Sequence, residues 1–170
     1  PVYPAALLET ADPPLLLYAI GRLEQLSTPS LAIVGSRHAS VRGRNNAREF
    51  AAHLGQTGLT IVSGLALGID GAAHEGALGT SGGTVAVVAT GLDQTYPRRH
   101  AELATRIATE GLVVSEYSLG TPPLRENFPQ RNRIIAGLTR GTLVVEANLQ
   151  SGSLITARLA VECGREVFAI

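Results

Sequence analysis

Three arginines surround one aromatic side chain in Arg125-Glu126-Asn127-Phe128-Pro129-Gln130-Arg131-Asn132-Arg133. Guanidinium forks grip phosphate and an aromatic ring stacks on a base, so this combination suits a single strand of nucleic acid. Phe128 serves equally well as an anchor plugging its loop into the core. Asn132 can read a base edge or hold backbone. The loop before this segment carries Pro122-Pro123 and is longer than most connections in a compact domain. A second candidate, Gly35-Ser36-Arg37-His38-Ala39-Ser40, follows an apolar run. Its glycine permits close approach, Ser36 and the amides of a helix start can hold an anion, Arg37 can fork onto phosphate, and Ser40 is a good N-cap. Taken alone, it reads as an ordinary strand–helix turn.

Two further loops have the same glycine-and-serine character. Ser63-Gly64-Leu65-Ala66-Leu67-Gly68-Ile69-Asp70 lacks the G-x-G-x-x-G spacing of a dinucleotide site. Asp70 and His74 stand four apart on one helical face, a spacing open to acid–base or metal chemistry. With no third ligand nearby, Asp70 is expected to cap the helix and His74 to sit in an interior hydrogen-bond network. Ser151-Gly152-Ser153 offers small donors for a phosphate or a helix cap, and Glu146 is a lone carboxylate at a strand end. Arg98-Arg99 opens a helix, where cations oppose the macrodipole; a solvated surface pair is expected.

Composition closes off other chemistries. The 170 residues carry 14 basic and 14 acidic groups, and every basic group is arginine. Without lysine there is no P-loop and no Schiff-base chemistry. Low net charge with 45% hydrophobic residues excludes a disordered chain and a globally basic polyanion binder. The single Cys163 removes disulfides and thiolate zinc sites, and the four histidines are too far apart for an H-x-x-x-H pair. No metal or cofactor is expected. Apolar stretches of five or six residues are far short of a membrane span. The chain starts at Pro1 without a charged and apolar leader and stops inside an apolar run, which fits the folded part of a longer cytosolic protein. Residues 37–48 hold four arginines and no acid, and 125–140 hold four arginines and Glu126. That places +4 and +3 in two segments and leaves −7 on the rest, a local basic pocket on a neutral body if both segments start at neighbouring strands.

The elements that must position these residues are continuous apolar runs at 31–34, 59–62, 84–88, 112–114, 142–145 and 167–170, as strands buried on both faces require. Helical patterns over 42–56, 69–78, 100–110, 131–138 and 154–163 separate them. Ala47, Phe50, Ala51 and Leu54 form an apolar stripe on the first, and glycines at 55 or 58, 79, 111 and 164 suit left-handed C-caps. The rhythm predicts an α/β fold: a doubly wound, mostly parallel, extended Rossmann-like sheet with helices on both faces. Residues 1–30, punctuated by prolines, read as an N-terminal extension packed on the sheet, with 15–20 as one edge strand; 31–170 form the Rossmann-like domain.

Taken in order, the motifs resemble the DNA-processing protein A family (DprA, also called Smf). The matching residues are Tyr3-Pro4, Ala32-Ile33-Val34-Gly35-Ser36-Arg37 with Ser40, Val62-Ser63-Gly64-Leu65-Ala66, Gly68-Ile69-Asp70 and Ala73-His74. They continue through Gly91-Leu92-Asp93, Tyr96-Pro97, Ser115-Glu116, Phe128-Pro129, Arg131-Asn132-Arg133-Ile134-Ile135, Val144-Val145-Glu146-Ala147 and Ser151-Gly152-Ser153-Leu154-Ile155-Thr156-Ala157. The resemblance spans nearly the whole chain. It implies a cytoplasmic, non-enzymatic homodimer of natural transformation (competence) and DNA recombination that binds and protects incoming single-stranded DNA and helps load RecA recombinase. It also implies a DNA site formed by Gly35, Ser36, Arg37, Ser63, Gly64, Arg125, Phe128, Arg131, Asn132, Ser151, Gly152 and Ser153. Two positions depart from the pattern: Leu67 stands where the family usually has Arg or Lys, and His100 where Asn is usual. The flanking helical and winged-helix-like domains of many members are not among these 170 residues.

The runner-up is a nucleoside-phosphate hydrolase on a related fold, resembling the cytokinin-activating phosphoribohydrolases. Asp70, Glu116 or Glu146 would then do acid–base work beside an arginine-bound phosphate. Gly82-Gly83-Thr84 is a poor fragment of those enzymes' P-G-G-x-G-T-x-x-E signature. A third reading is a scaffold whose exposed apolar face pairs subunits.

Overall fold

The computed structural model describes residues 3–149 and 151–170. Seven strands form one sheet: β1 (Tyr18–Gly21), β2 (Ser30–Gly35), β3 (Thr60–Ser63), β4 (Thr84–Val87), β5 (Leu112–Ser115), β6 (Gly141–Val145) and β7 (Glu166–Ala169). Their spatial order is β1-β5-β4-β3-β2-β6-β7, all parallel except β1, which runs antiparallel to β5 at the edge. The five inner strands are apolar and β-branched, and β3 to β6 are buried at every position. That is what a sheet covered on both faces demands. The edge strand β7, expected to be buried on both faces, is instead exposed throughout.

Six helices cover it: α1 (Ala5–Leu8), α2 (Val41–Gln56), α3 (Ile69–Ala77), α4 (Ala101–Glu110), α5 (Asn127–Leu138) and α6 (Gly152–Glu162). On one face Leu7, Ile134 and Ile135 pack on Val34, Val62, Val85 and Val144, with Ala157 at the margin. On the other, Ala47, Ala51, Ile69 and Ala73 pack on Ile33, Ile61 and Leu143, and Leu103 and Ile107 of α4 pack on Ala86 and Val113. The fold is the doubly wound, mostly parallel sheet that the apolar rhythm predicted. No helix among the described residues is long and apolar enough to cross a membrane.

Several details differ from the sequence reading. α5 begins at Asn127, four residues before its expected start, because Pro129 lies in the first turn, where a missing N–H breaks no helical bond. Phe50 is turned to solvent at 42% exposure while Ala47 and Ala51 face the sheet. Gly58, Gly79 and Gly164 have positive φ as C-terminal caps, whereas Gly111 closes α4 with φ −133°. A short 3-10 turn, Arg98–His100, leads into α4. The two arginine-rich segments do not start on neighbouring strands: α2 follows β2, and the long loop follows β5, with β3 and β4 between them. α5 bridges that gap by crossing β4, β3 and β2 on its way to β6.

Candidate nucleic-acid interface

At the carboxyl edge of the sheet, where loops from parallel strands gather, lies a cavity of about 480 Å³. The end of β2 supplies Gly35, Ser36 and Arg37, α5 supplies Phe128, Arg131 and Asn132, and the start of α6 supplies Ser151, Gly152 and Ser153. Nine of the twelve residues singled out from the sequence therefore line one cavity. Ser63, Gly64 and Arg125 do not. Ser63 is fully buried and donates its hydroxyl to the Ile33 carbonyl at 2.6 Å. Arg125 is exposed on the long loop.

The arginines around the cavity have different fates. Arg37, reaching from the β2 loop, sits over the Phe128 ring, its guanidinium carbon 5.5 Å from the ring centroid. That arrangement leaves a cation and a π-face together at the cavity mouth. Arg131 is 4% exposed, and one guanidinium nitrogen donates to the carbonyls of Gly64, at 2.8 Å, and Val87. Gly64 permits this approach, since a Cβ there would lie 2.7 Å from the guanidinium. Burial pushes the Arg131 pKa down to about 10, with the Asp70 carboxylate working the other way. Arg133 is spent in a bidentate pair with Glu116, at 2.7 and 3.0 Å, and a further bond to Asp12 at 2.9 Å.

Asp70 does not cap its helix; Gly68 occupies that place with φ 81°. Its carboxylate instead accepts the amides of Gly64 and Ala66, at 3.2 and 3.3 Å, and so shapes the loop that forms the cavity floor. Burial raises its pKa, and Arg131 and the two amides oppose the shift. His74 is fully buried with Nδ1 2.7 Å from the Thr84 hydroxyl, the interior role expected of it. Asn132 donates to the Gly152 carbonyl at 3.3 Å and ties α5 to α6. Ser151 caps α6 and its hydroxyl lies 2.6 Å from that of Ser153. Gln150 lies outside the described residues.

Of the three carboxylates a hydrolase would draw on, Glu116 is held by Arg133 and Glu146 by Ser40, and neither lines the cavity; Asp70 does line it, buried and bonded to the Gly64 and Ala66 amides. Among the described residues no group of three or more His, Cys, Asp or Glu side chains is arranged to hold a metal. His100, at a departure from the resembled pattern, lies with Nδ1 2.9 Å from the Leu65 carbonyl, fastening the same floor loop. Sequence reasoning passed over Tyr96, whose ring lies 5.4 Å from Phe128. Its only signal was its place in Tyr96-Pro97.

The model of the family described as DNA recombination-mediator protein A matches residues 1–170. The chain is 53% identical over 169 residues to Protein Smf of Escherichia coli, covering 99% of this chain and 45% of that protein. It is 50% identical over 168 residues to DNA processing protein DprA of Streptococcus pneumoniae, covering 99% of this chain and 59% of that one. It thus spans about half the length of these curated relatives. The solved structure of the S. pneumoniae protein superposes with a TM-score of 0.93. The DNA processing protein A of Helicobacter pylori, described with a unique single-stranded DNA binding mode, superposes with a TM-score of 0.94 at 34% identity, over 99% of this chain and 78% of that one. A molybdenum cofactor binding protein of Rippkaea orientalis, at 17% identity and a TM-score of 0.60, shares the fold alone.

Proposed function

Starting from the chain's membership of the DNA recombination-mediator protein A family, we propose that it binds single-stranded DNA in the cavity at the carboxyl edge of its sheet. The observation that carries this is Arg37 stacked over Phe128 at a cavity whose lining also includes Arg131, Asn132, Ser36, Ser151 and Ser153. A strand needs a phosphate contact beside a base-stacking face, and this pair supplies both. Ser36, Ser151, Gly152 and Ser153 contribute donors, Gly35 gives close approach, and Arg125, exposed on the loop that leads into α5, supplies a further cation. Arg131, Asn132, Ser63 and Gly64 hold the walls and floor. The single-strand binding described for the H. pylori relative supports the reading.

The same reading extends to a cytoplasmic, non-enzymatic homodimer that protects incoming DNA in natural transformation and hands it to RecA recombinase. Nuclease resistance of the bound strand and RecA filament growth on it test those parts in the full-length protein. For the site itself, a labelled oligothymidylate is titrated at low salt. Arg37→Ala is expected to weaken binding about tenfold, the scale of a lost charge-assisted contact plus its stacking partner. Equal affinity of the variant and the unaltered protein overturns the assignment.

A further inference from the structure

Tyr96 belongs to the loop between β4 and α4 and is 44% exposed. It takes part in none of the three core clusters among the described residues. Its ring instead meets Phe128 at 5.4 Å and 56°, and its remaining surface walls a second, small cavity of about 140 Å³. Arg37, Phe128 and Tyr96 therefore form a row of three flat groups, beginning at the mouth of the large cavity and ending outside it. Just beyond Tyr96 stand Arg98 and Arg99, both exposed and without an ion pair among the described residues.

Two arginines at a helix start oppose the helix dipole, so the fold gains nothing from them there. The acids close in sequence do not neutralise them: Asp93 is engaged by the Gly120 amide at 2.8 Å and the Gln94 side chain at 3.0 Å, and Glu102 forms no ion pair among the described residues. An exposed aromatic with no core partner, continuous with one stacking face and followed by two unpaired guanidiniums, has the composition of a single-strand track.

We propose that a single strand leaving the cavity crosses Phe128 onto Tyr96, which stacks the next base, and that Arg98 and Arg99 hold the phosphates that follow. This track rests on the single-strand reading of the cavity and extends it along the edge of the sheet from β2 to β4. It assigns a function to the outer part of the loop, residues 93–99, none of which belongs to a core cluster among the described residues.

The test compares two oligothymidylates with the full-length protein, one of about four nucleotides that fills the cavity and one of about twelve that reaches the loop. Arg98→Gln/Arg99→Gln is expected to weaken the longer strand several-fold and to lower its salt slope by about 1.4, for two phosphates at roughly 0.7 each. The shorter strand keeps its affinity. Tyr96→Leu is expected to weaken the longer strand about tenfold, and Tyr96→Phe, which keeps the ring, to restore it. Unchanged affinity and slope for the longer strand overturn the track and leave the cavity reading intact. Equal weakening of both strands also overturns it, because the changes then act through the cavity or the fold. Failure of the unaltered protein to bind either strand overturns both readings together.

Discussion

His74 shows how one buried side chain sets a pH limit on the fold. The Thr84 hydroxyl donates its only proton to the Ile61 carbonyl at 2.8 Å, so it must accept from His74 Nδ1–H. The tautomer is thereby fixed, and Nε2 is left unprotonated and buried without a partner. Adding a proton there would bury an N–H with no acceptor, next to the positive field of Arg131 and His100. Burial, with those two charges behind it, accordingly drops the His74 pKa from 6.5 to about 3. The unfolded chain takes up a proton near 6.5 that the folded chain refuses, so the stability held by neutral His74 is complete above that pH. It is lost as pH falls toward 3. In this window each pH unit is expected to cost up to about 1.4 kcal/mol through this one group. Asp70, its pKa raised by burial, contributes the opposite slope, and comparison with His74→Gln cancels that contribution. Urea unfolding at several pH values below 6.5 should show a clearly shallower pH slope in His74→Gln; parallel slopes would remove His74 as the source.

The junction of β6 and α2 is the element-scale counterpart. Ser40 accepts the Gly43 amide at 2.9 Å as N-cap, while its own amide and hydroxyl donate to Glu146 at 2.8 and 2.6 Å. Those bonds hold the Glu146 carboxyl below the usual carboxylate range. Glu146 adopts φ 53°, unusual for a residue with a side chain, and its carbonyl accepts the Ser36 amide at 2.7 Å. The turn bearing Arg37 is thus fixed from the neighbouring strand. A Cβ on Gly43 would lie 2.2 Å from the Glu146 carboxylate. Gly→Ala inside a helix ordinarily stabilises by about 0.5–1 kcal/mol. Here that gain should be cancelled, because the methyl displaces the Glu146 carboxylate from the Ser40 amide and hydroxyl. In a Glu146→Gly background Gly43→Ala should show the gain again, read as Tm in a double-mutant cycle. A raised Tm for Gly43→Ala alone would contradict the arrangement.

Only the Ser40 cap of that junction was legible in the sequence; its tie to Glu146 was not, because the partners are 106 positions apart. The inner strands were legible because burial on both faces writes itself as continuous apolar runs. Most of the cavity was legible for a related reason: small and polar residues after such runs collect at one edge of a parallel sheet. The individual arginines were not. Arg125, Arg131 and Arg133 are identical in type and close in sequence, yet one is exposed, one is buried on carbonyls and one is paired with Glu116. Only tertiary contacts separate them.

Across the whole molecule the formal charge is zero, so long-range attraction to DNA cannot come from net charge. Pairing redistributes it. Arg22, Arg48, Arg106, Arg133, Arg158 and Arg165 each meet a carboxylate. Exposed arginines without an ion pair among the described residues include Arg37, Arg98, Arg99 and Arg125, on loops that follow β2, β4 and β5. Arg140 is also exposed and unpaired, but it stands just before β6, at the opposite edge of the sheet. This makes a clean comparison. Arg37→Glu and Arg140→Glu change the net charge by the same amount, so binding driven by overall charge would weaken equally in both. At about 0.1 M salt, charges more than roughly 10 Å from the strand are largely screened. Arg37→Glu is therefore expected to reduce affinity for an oligothymidylate by a hundredfold or so, adding repulsion to the lost contact, while Arg140→Glu stays within about twofold. Equal losses in the two variants would mean that the neutral body, and not the edge bearing the cavity, governs binding.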